Sequence, residues 1–221
     1  YVARASLPPG ERMTSYGFWY LVAPAEILEP GVLAAAGAYR PYSMTLQHYD
    51  RARATTNLDR HLYLDMKITI SDNDVFKVSR MCEQAGVAVR FPFLDERVVH
   101  AAERVPAGLK MRGEELRTFF KETYADLLPP ETLAKKKHGF GLPISGWLRT
   151  DPELHDRMRD LVLGSRAVSR GFFTRAGLEE LVRRHAADTT PFYGTILWNL
   201  MILELWLRRV SDGGDGAPQR S

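Results

Sequence analysis

The sequence predicts a mainly α-helical protein. Two observations carry that reading. Apolar residues recur at helical spacing in several separate stretches, and no stretch has the length and bounding turns of a buried strand. The best strand candidate, Val87 to Phe91, is very short. The chain has 221 residues, enough for one good-sized core or two small ones.

Taken in order, residues 1–24 read as irregular, with Pro8-Pro9-Gly10 as a turn signal. Residues 25–38 read as a helix broken near Pro30-Gly31, because proline removes a backbone donor and clashes with the preceding turn. Residues 46–54 allow another short helix. The spacing of Leu58, His61, Leu62, Leu64, Asp65 and Ile68 predicts a helix over 57–70, with Asn57 as its N-cap. Ser71-Asp72-Asn73 reads as a turn or a new cap. A helix over 73–84 carries Val75, Phe76, Val78 and Cys82 on one face. Further helices are expected over 96–104, 114–127, 131–136, 152–163, 174–186 and 191–209. Pro106 and Gly108 stop the first of these, and Pro129-Pro130 stops the second. Residues 1–210 are read as one helical region and 211–221, with three glycines and a proline, as a disordered tail.

Composition narrows the function classes. A net charge of +3 is too small to point to nucleic acid by itself, and no aromatic-interleaved basic face accompanies the basic run Lys135 to His138, so no nucleic-acid partner is expected. Cys82 is the single cysteine, which rules out an internal disulfide and suits a reducing cytoplasm. It reads as a buried, inert thiol. Residues 195–207 form the most apolar run, but Asn199 and Glu204 interrupt it. The run also falls short of the roughly 20 apolar residues a membrane span needs, so it reads as a core helix and no membrane partner is expected. No charged-then-apolar signal segment opens the chain. The six histidines show no metal-ligand spacing, and no metal site is assigned.

The stretch that organises the chain is Gly86-Val-Ala-Val-Arg-Phe-Pro-Phe-Leu-Asp95. An apolar loop this compact between two helices is expected to be buried or to line a pocket. Arg90 and Asp95 within it are expected to satisfy each other or to meet a ligand, because unpaired buried charges are costly. A second stretch, Leu128 to Leu142, reads Leu-Pro-Pro-Glu-Thr-Leu-Ala-Lys-Lys-Lys-His-Gly-Phe-Gly-Leu.

The two blocks, in this order, resemble the signatures of the asparagine synthetase family, G-V-E-x-R-V-P-F-L-D and L-P-x-x-x-x-x-R-x-K-x-G-F. The linking residues 98–106, Leu109-Lys110 and Trp147 also fit, and the resemblance is clearest over 57–148. It implies the helical C-terminal portion of an adenine-nucleotide-hydrolase-like α/β synthetase domain. The nucleotide-binding parallel sheet would then be absent from this chain. Such synthetases adenylate a carboxylate such as aspartate with Mg-ATP, and ammonia released from glutamine in an N-terminal domain displaces AMP. The family's phosphate-cradling S-G-G-x-D-S loop and its amino-terminal cysteine do not occur here. The chain is therefore read as an excised piece, with Tyr1 as the tyrosine of a family G-G-Y.

The resemblance implies roles for three residues. Gly86 and Val87 match backbone that lines the ATP site, where a glycine permits close approach. Lys137 matches the lysine of R-x-K-x-G-F and is the expected catalytic residue. Its ammonium would neutralise charge developing as pyrophosphate departs. Gly139 and Gly141 would let that loop move over the nucleotide or would make a turn. Without the resemblance, Lys135-Lys136-Lys137 reads as a solvated basic run. Ala88 stands where the family has glutamate, and alanine accepts neither a proton nor a side-chain hydrogen bond. Lys135 replaces the motif's arginine, keeping the charge and losing the planar fork. Two function classes follow. One is part of an ATP-dependent amide ligase, with ATP and Mg used by the intact protein and none held by this chain alone. Its partners would be a small carboxylate, the missing N-terminal half of the synthetase domain and possibly a glutaminase domain. The other is a non-catalytic helical binding or scaffold module that kept the fold.

Overall fold

The computed structural model describes residues 2–15, 17, 22–39, 42–113, 115–136 and 141–213. In chain order the first helices are α1 (Val2–Ala5), α2 (Pro9–Thr14), α3 (Pro24–Ile27), α4 (Pro30–Ala36), α5 (Ser43–Arg51) and α6 (Asn57–Leu64). A π-helix (Asp65–Val75) leads into α7 (Phe76–Gln84). A 3-10 turn (Pro92–Leu94) precedes α8 (Glu96–Glu103), α9 (Ala107–Lys110), α10 (Thr118–Thr123) and α11 (Pro130–Ala134). The last helices are α12 (Ile144–Thr150), α13 (Pro152–Leu163), α14 (Ser165–Ser169), α15 (Arg175–Ala187) and α16 (Phe192–Val210). No strand occurs among the described residues, only the isolated bridges Leu28–Phe173 and Arg112–Glu115. The protein is mainly α-helical, as its hydrophobic spacing predicts.

The chain divides into two compact units. Unit 1 comprises Tyr1–Thr14 and Tyr42–Gly139, and unit 2 comprises Ser15–Pro41 and Phe140–Ser221.

Unit 2 is built around α16. Ile196, Leu197, Leu200, Met201, Glu204 and Leu207 follow the helical period and are all buried. They make a core with Leu148 of α12, Met158 of α13 and Leu178 of α15, each at most 2% exposed. Two glycines permit the close approaches. A Cβ on Gly194 would lie 2.5 Å from the Ser145 Cα, and one on Gly177 would meet the backbone of Glu26 and Ile27. Side-chain caps fix the helix starts. The Asp151 carboxylate accepts from the Leu154 N–H at 3.0 Å, and the Thr174 hydroxyl accepts from the Gly177 N–H at 3.1 Å. Arg149 donates to the carbonyls of His185, Asp188 and Thr189, tying α12 to the end of α15.

Glu204, which interrupts the apolar run, lies between two guanidinium groups. Arg170 reaches it at 2.5 Å and Arg208 at 2.8 Å. Burial pushes the Glu204 carboxyl up, but the hydrogen bonds from Arg170 and Arg208 outweigh it and hold the group below the usual carboxylate range. No helix among the described residues is long and apolar enough to cross a membrane.

Unit 1 has few buried apolar residues. Among the described residues, Tyr49, Ala52 and Leu64 are the hydrophobic side chains under 9% exposed there. The Thr56 hydroxyl caps α6, accepting from the Asp59 N–H at 3.1 Å, so the cap is Thr56 and not the expected Asn57. Asp59 also accepts from Lys110 at 2.7 Å, which joins α6 to α9.

Other boundaries depart from the sequence reading, each for a local reason. Residues 2–14 are not irregular: α1 and α2 occupy them, and α2 starts at Pro9, because proline suits a first helical position whose N–H has no partner anyway. The expected turn at Ser71-Asp72-Asn73 is absent, since the π-helix carries the backbone through those residues. The helix expected over 114–127 is confined to Thr118–Thr123, where Arg117 takes a left-handed conformation that no helix continues through. Cys82 is partly exposed, not buried. The expected tail lies outside the described residues from 214 onward.

Candidate functional site

The signature loop is mostly exposed, contrary to the buried loop its composition suggests. Val87 is 59% and Phe93 73% exposed.

Gly86 ends α7. Its φ of 66° is left-handed, its N–H donates to the Glu83 carbonyl at 3.1 Å, and the Val87 N–H donates to the Cys82 carbonyl at 2.9 Å. This paired pattern closes the last turn of a helix and favours glycine through its backbone angle. A Cβ on Gly86 would meet nothing within 4 Å, so within this chain the angle, and not crowding, calls for glycine.

Arg90 and Asp95 do not pair with each other. The Asp95 carboxylate caps α8, accepting from the Arg97 N–H at 3.0 Å and from the Arg97 side chain at 2.9 and 3.0 Å. Those Arg97 bonds, the side-chain one foremost, hold the Asp95 carboxyl below its usual range. Arg90 donates to the Val89 carbonyl at 3.1 Å instead. The cap wins because a carboxylate placed just before a helix has free N–H donors within one turn.

Lys137, Gly139 and the rest of 137–140 lie outside the described residues, while Gly141 falls in a segment without regular structure. The residues leading to Lys137 line a cavity of about 480 Å³, with Arg117, Thr118 and Lys121 from α10 and its approach, and Lys135 and Lys136 after α11. The Lys121 ammonium donates to the Lys135 carbonyl at 3.4 Å, holding the two walls together. Glu115 and Glu122 are the acidic groups on the lining, and Glu122 is engaged by Arg112 at 2.8 Å. Four cations against one carboxylate without that partner make the cavity attractive to an anion.

Arg117 carries the wall at a strained backbone position, with φ 65°, ψ 21°. It is the one non-glycine residue with positive φ among the described residues. Strain of this kind persists where surrounding structure over-determines it, often at ligand sites.

The structure thus connects the two signature blocks through α10. Phe93 of the first block meets Phe120 with ring centroids 6.2 Å apart, and the next residue, Lys121, lines the cavity that leads into the second block. Gly86 and Val87 are not among the residues lining that cavity. Arg117 and Lys121 were missed in the sequence because they sit on what reads as the solvated face of an amphipathic helix. Their four-residue spacing is a signal, but a weak one. Among the described residues no cluster of three metal-ligating side chains occurs.

A family model described as asparagine synthase matches residues 10–208. The chain is similar to "Asparagine synthetase [glutamine-hydrolyzing] 1" of Bacillus subtilis, 22% identical over 169 residues that cover 76% of this chain and 26% of that protein. It is also similar to a "Putative asparagine synthetase [glutamine-hydrolyzing]" of Mycobacterium bovis and one of Mycobacterium tuberculosis. Each is 25% identical over 147 residues, covering 66% of this chain and 22% of the relative. The chain spans about a quarter of the length of the curated relatives it matches. No solved structure matches it. With the family model covering nearly the whole helical region, the chain belongs to the asparagine synthase family.

Proposed function

We propose that this chain works as the helical part of an ATP-dependent amide-forming ligase. In that reaction a small carboxylate such as aspartate attacks the α-phosphate of ATP and expels pyrophosphate. Ammonia or another amine then attacks the acyl-adenylate and expels AMP. The observation that carries the reading is the cationic cavity of Arg117, Lys121, Lys135 and Lys136, the last two immediately preceding Lys137 in the sequence. Negative charge grows on the departing pyrophosphate, so fixed cations there stabilise the transition state more than the ground state. The cavity's volume suits a ligand of nucleotide size. Lys137 acts on the leaving group, and the exposed Gly86-Val87 backbone is available to the nucleotide. Mg-ATP is the substrate of the intact protein, and no residue here is assigned to the metal. The relatives' printed names support a glutamine-derived amine, hence a glutaminase partner domain. The lone cysteine supports a cytoplasmic setting.

A second reading has its own observation. Ala88, exposed in the signature loop, gives the site no carboxylate at the family's glutamate position, which favours a non-catalytic module. Pyrophosphate exchange in the intact synthetase separates the two. Lys137→Ala should lower the exchange rate by roughly a hundredfold or more, with a smaller effect on ATP binding. Unchanged exchange would remove the catalytic role of Lys137. No exchange in either protein would leave the non-catalytic module as the better reading.

A further inference from the structure

The side chains lining the cationic cavity differ in what they do with a proton. Arg117, Lys121, Lys135 and Lys136 are donors only, because a guanidinium or an ammonium has no acceptor atom. Thr118 offers a hydroxyl, which is a weak base. Glu122 is paired with Arg112 at 2.8 Å. Glu115 remains, and its carboxylate has no hydrogen-bond or ion-pair partner among the described residues. Its backbone is held nonetheless. The Glu115 N–H donates to the Arg112 carbonyl at 3.2 Å, the two residues form an isolated antiparallel bridge, and Arg117 makes its left-handed turn two residues on. The side chain itself is exposed on the lining.

Anion binding gains nothing from this carboxylate. A negative charge among four cations opposes the phosphates of ATP, so adenylation alone would be better served by a neutral residue. The second half of the proposed reaction has a different requirement. When the amine attacks the acyl-adenylate, a C–N bond forms. The bond from the carbonyl carbon to the AMP oxygen breaks, and AMP leaves with the electron pair. The amine nitrogen must then lose a proton. Four side chains that only donate cannot take it, and a carboxylate on the same lining can.

We propose that Glu115 is the general base of amide formation, its carboxylate accepting the proton that the amine nitrogen loses as the C–N bond forms. The assignment rests on the ligase reading, and it gives that reading the proton acceptor that Ala88 does not provide.

The test follows the two half-reactions separately in the intact synthetase, with and without Glu115→Gln. Glutamine keeps the size of the side chain and removes its basicity. Pyrophosphate exchange should be retained or raised, because the cavity loses a negative charge. Amide formation from ammonia should fall roughly a hundredfold, the share a positioned base supplies. Hydroxylamine is a less basic amine whose proton leaves readily, so hydroxamate formation should fall far less. Glu115→Asp should recover part of the rate with ammonia. Three results would overturn the assignment and leave the ligase reading standing. They are full-rate amide formation in Glu115→Gln, an equal loss of exchange and amide formation, or a loss with hydroxylamine as large as with ammonia. An unsubstituted synthetase that exchanges no pyrophosphate would instead remove the ligase reading, and the base with it.

Discussion

In unit 2, α16 turns Ile196, Leu197 and Leu200 inward against three other helices, and none of them is more than 9% exposed. In unit 1, α7 leaves Phe76 and Met81 58% and 57% exposed, and α10 leaves Phe120 36% exposed. All three helices are amphipathic in sequence. The difference lies in whether the apolar stripe finds a partner within its own unit. Helical periodicity identifies the face that must be covered and says nothing of where the cover comes from. The first signature block lies beside such an uncovered face in unit 1, where Phe93 stays 73% exposed although it meets Phe120.

The comparison makes its strongest prediction in unit 2. Trp147, Trp198 and Trp206 belong to that unit, so their fluorescence reports its unfolding. Leu197 is fully buried at the centre of the core. Leu197→Ala should cost about 2–5 kcal/mol in denaturant titrations followed by tryptophan emission, through lost transfer energy and the cavity left behind. A cost under about 1 kcal/mol would mean that the unit 2 core is loose and that the two units do not differ as described.

The helices of unit 2 were legible because burial and spacing agree. The sequence reading places helices over 152–163 and 174–186, and the structure has Pro152–Leu163 and Arg175–Ala187. Pro152 and Thr174 mark the starts by chemistry that acts within one turn. Unit 1 was less legible. The π-helix replaces a turn that Ser71-Asp72-Asn73 suggested, and the left-handed Arg117 shortens α10. Neither follows from local propensity. In the site, the lysine run was visible but not the cavity wall opposite it, since Arg117 and Lys121 acquire meaning only when α10 folds beside Lys135. Arg90 and Asp95 misled because a cap onto the N–H of Arg97, two residues on, is invisible to a pairing argument based on residue type.

A smaller effect distinguishes unit 2 by pH. His185 of α15 is 3% exposed, and neither ring nitrogen has a hydrogen-bond partner. Burial, then Arg149 of α12 and His155 of α13, push its pKa below 6.5, while Asp188 opposes them. The folded state therefore binds its proton less readily than the unfolded chain. The resulting stability is complete above pH 6.5 and declines as pH falls below that value toward the lowered folded pKa. Glu180 and Asp212 are each held near pH 2, by Arg183 and Arg184 and by Arg170 and Arg166, so their losses come at lower pH. Tryptophan-monitored stability should fall in the histidine range, and His185→Leu should flatten that fall. An identical slope in the variant would assign the acid sensitivity to another group.

The smallest effect is predicted in unit 1, and it sharpens the contrast most. Phe93 touches Phe120, but most of its surface already faces solvent at 73% exposure. Its removal loses part of one ring–ring contact and almost no burial, and it leaves no cavity. In the isolated chain, Phe93→Ala should shift stability by only about 0.5 kcal/mol, against several for Leu197→Ala. The part of the helix signal in circular dichroism that does not follow the tryptophan transition reads unit 1, and tryptophan emission should not move at all. A loss of about 2 kcal/mol or more would show that the ring is structural within unit 1, so that this unit has a core of its own around the signature loop. A small loss leaves the aromatic side chain without a stabilising role in the free chain. Its energetic value then depends on whatever surface covers it.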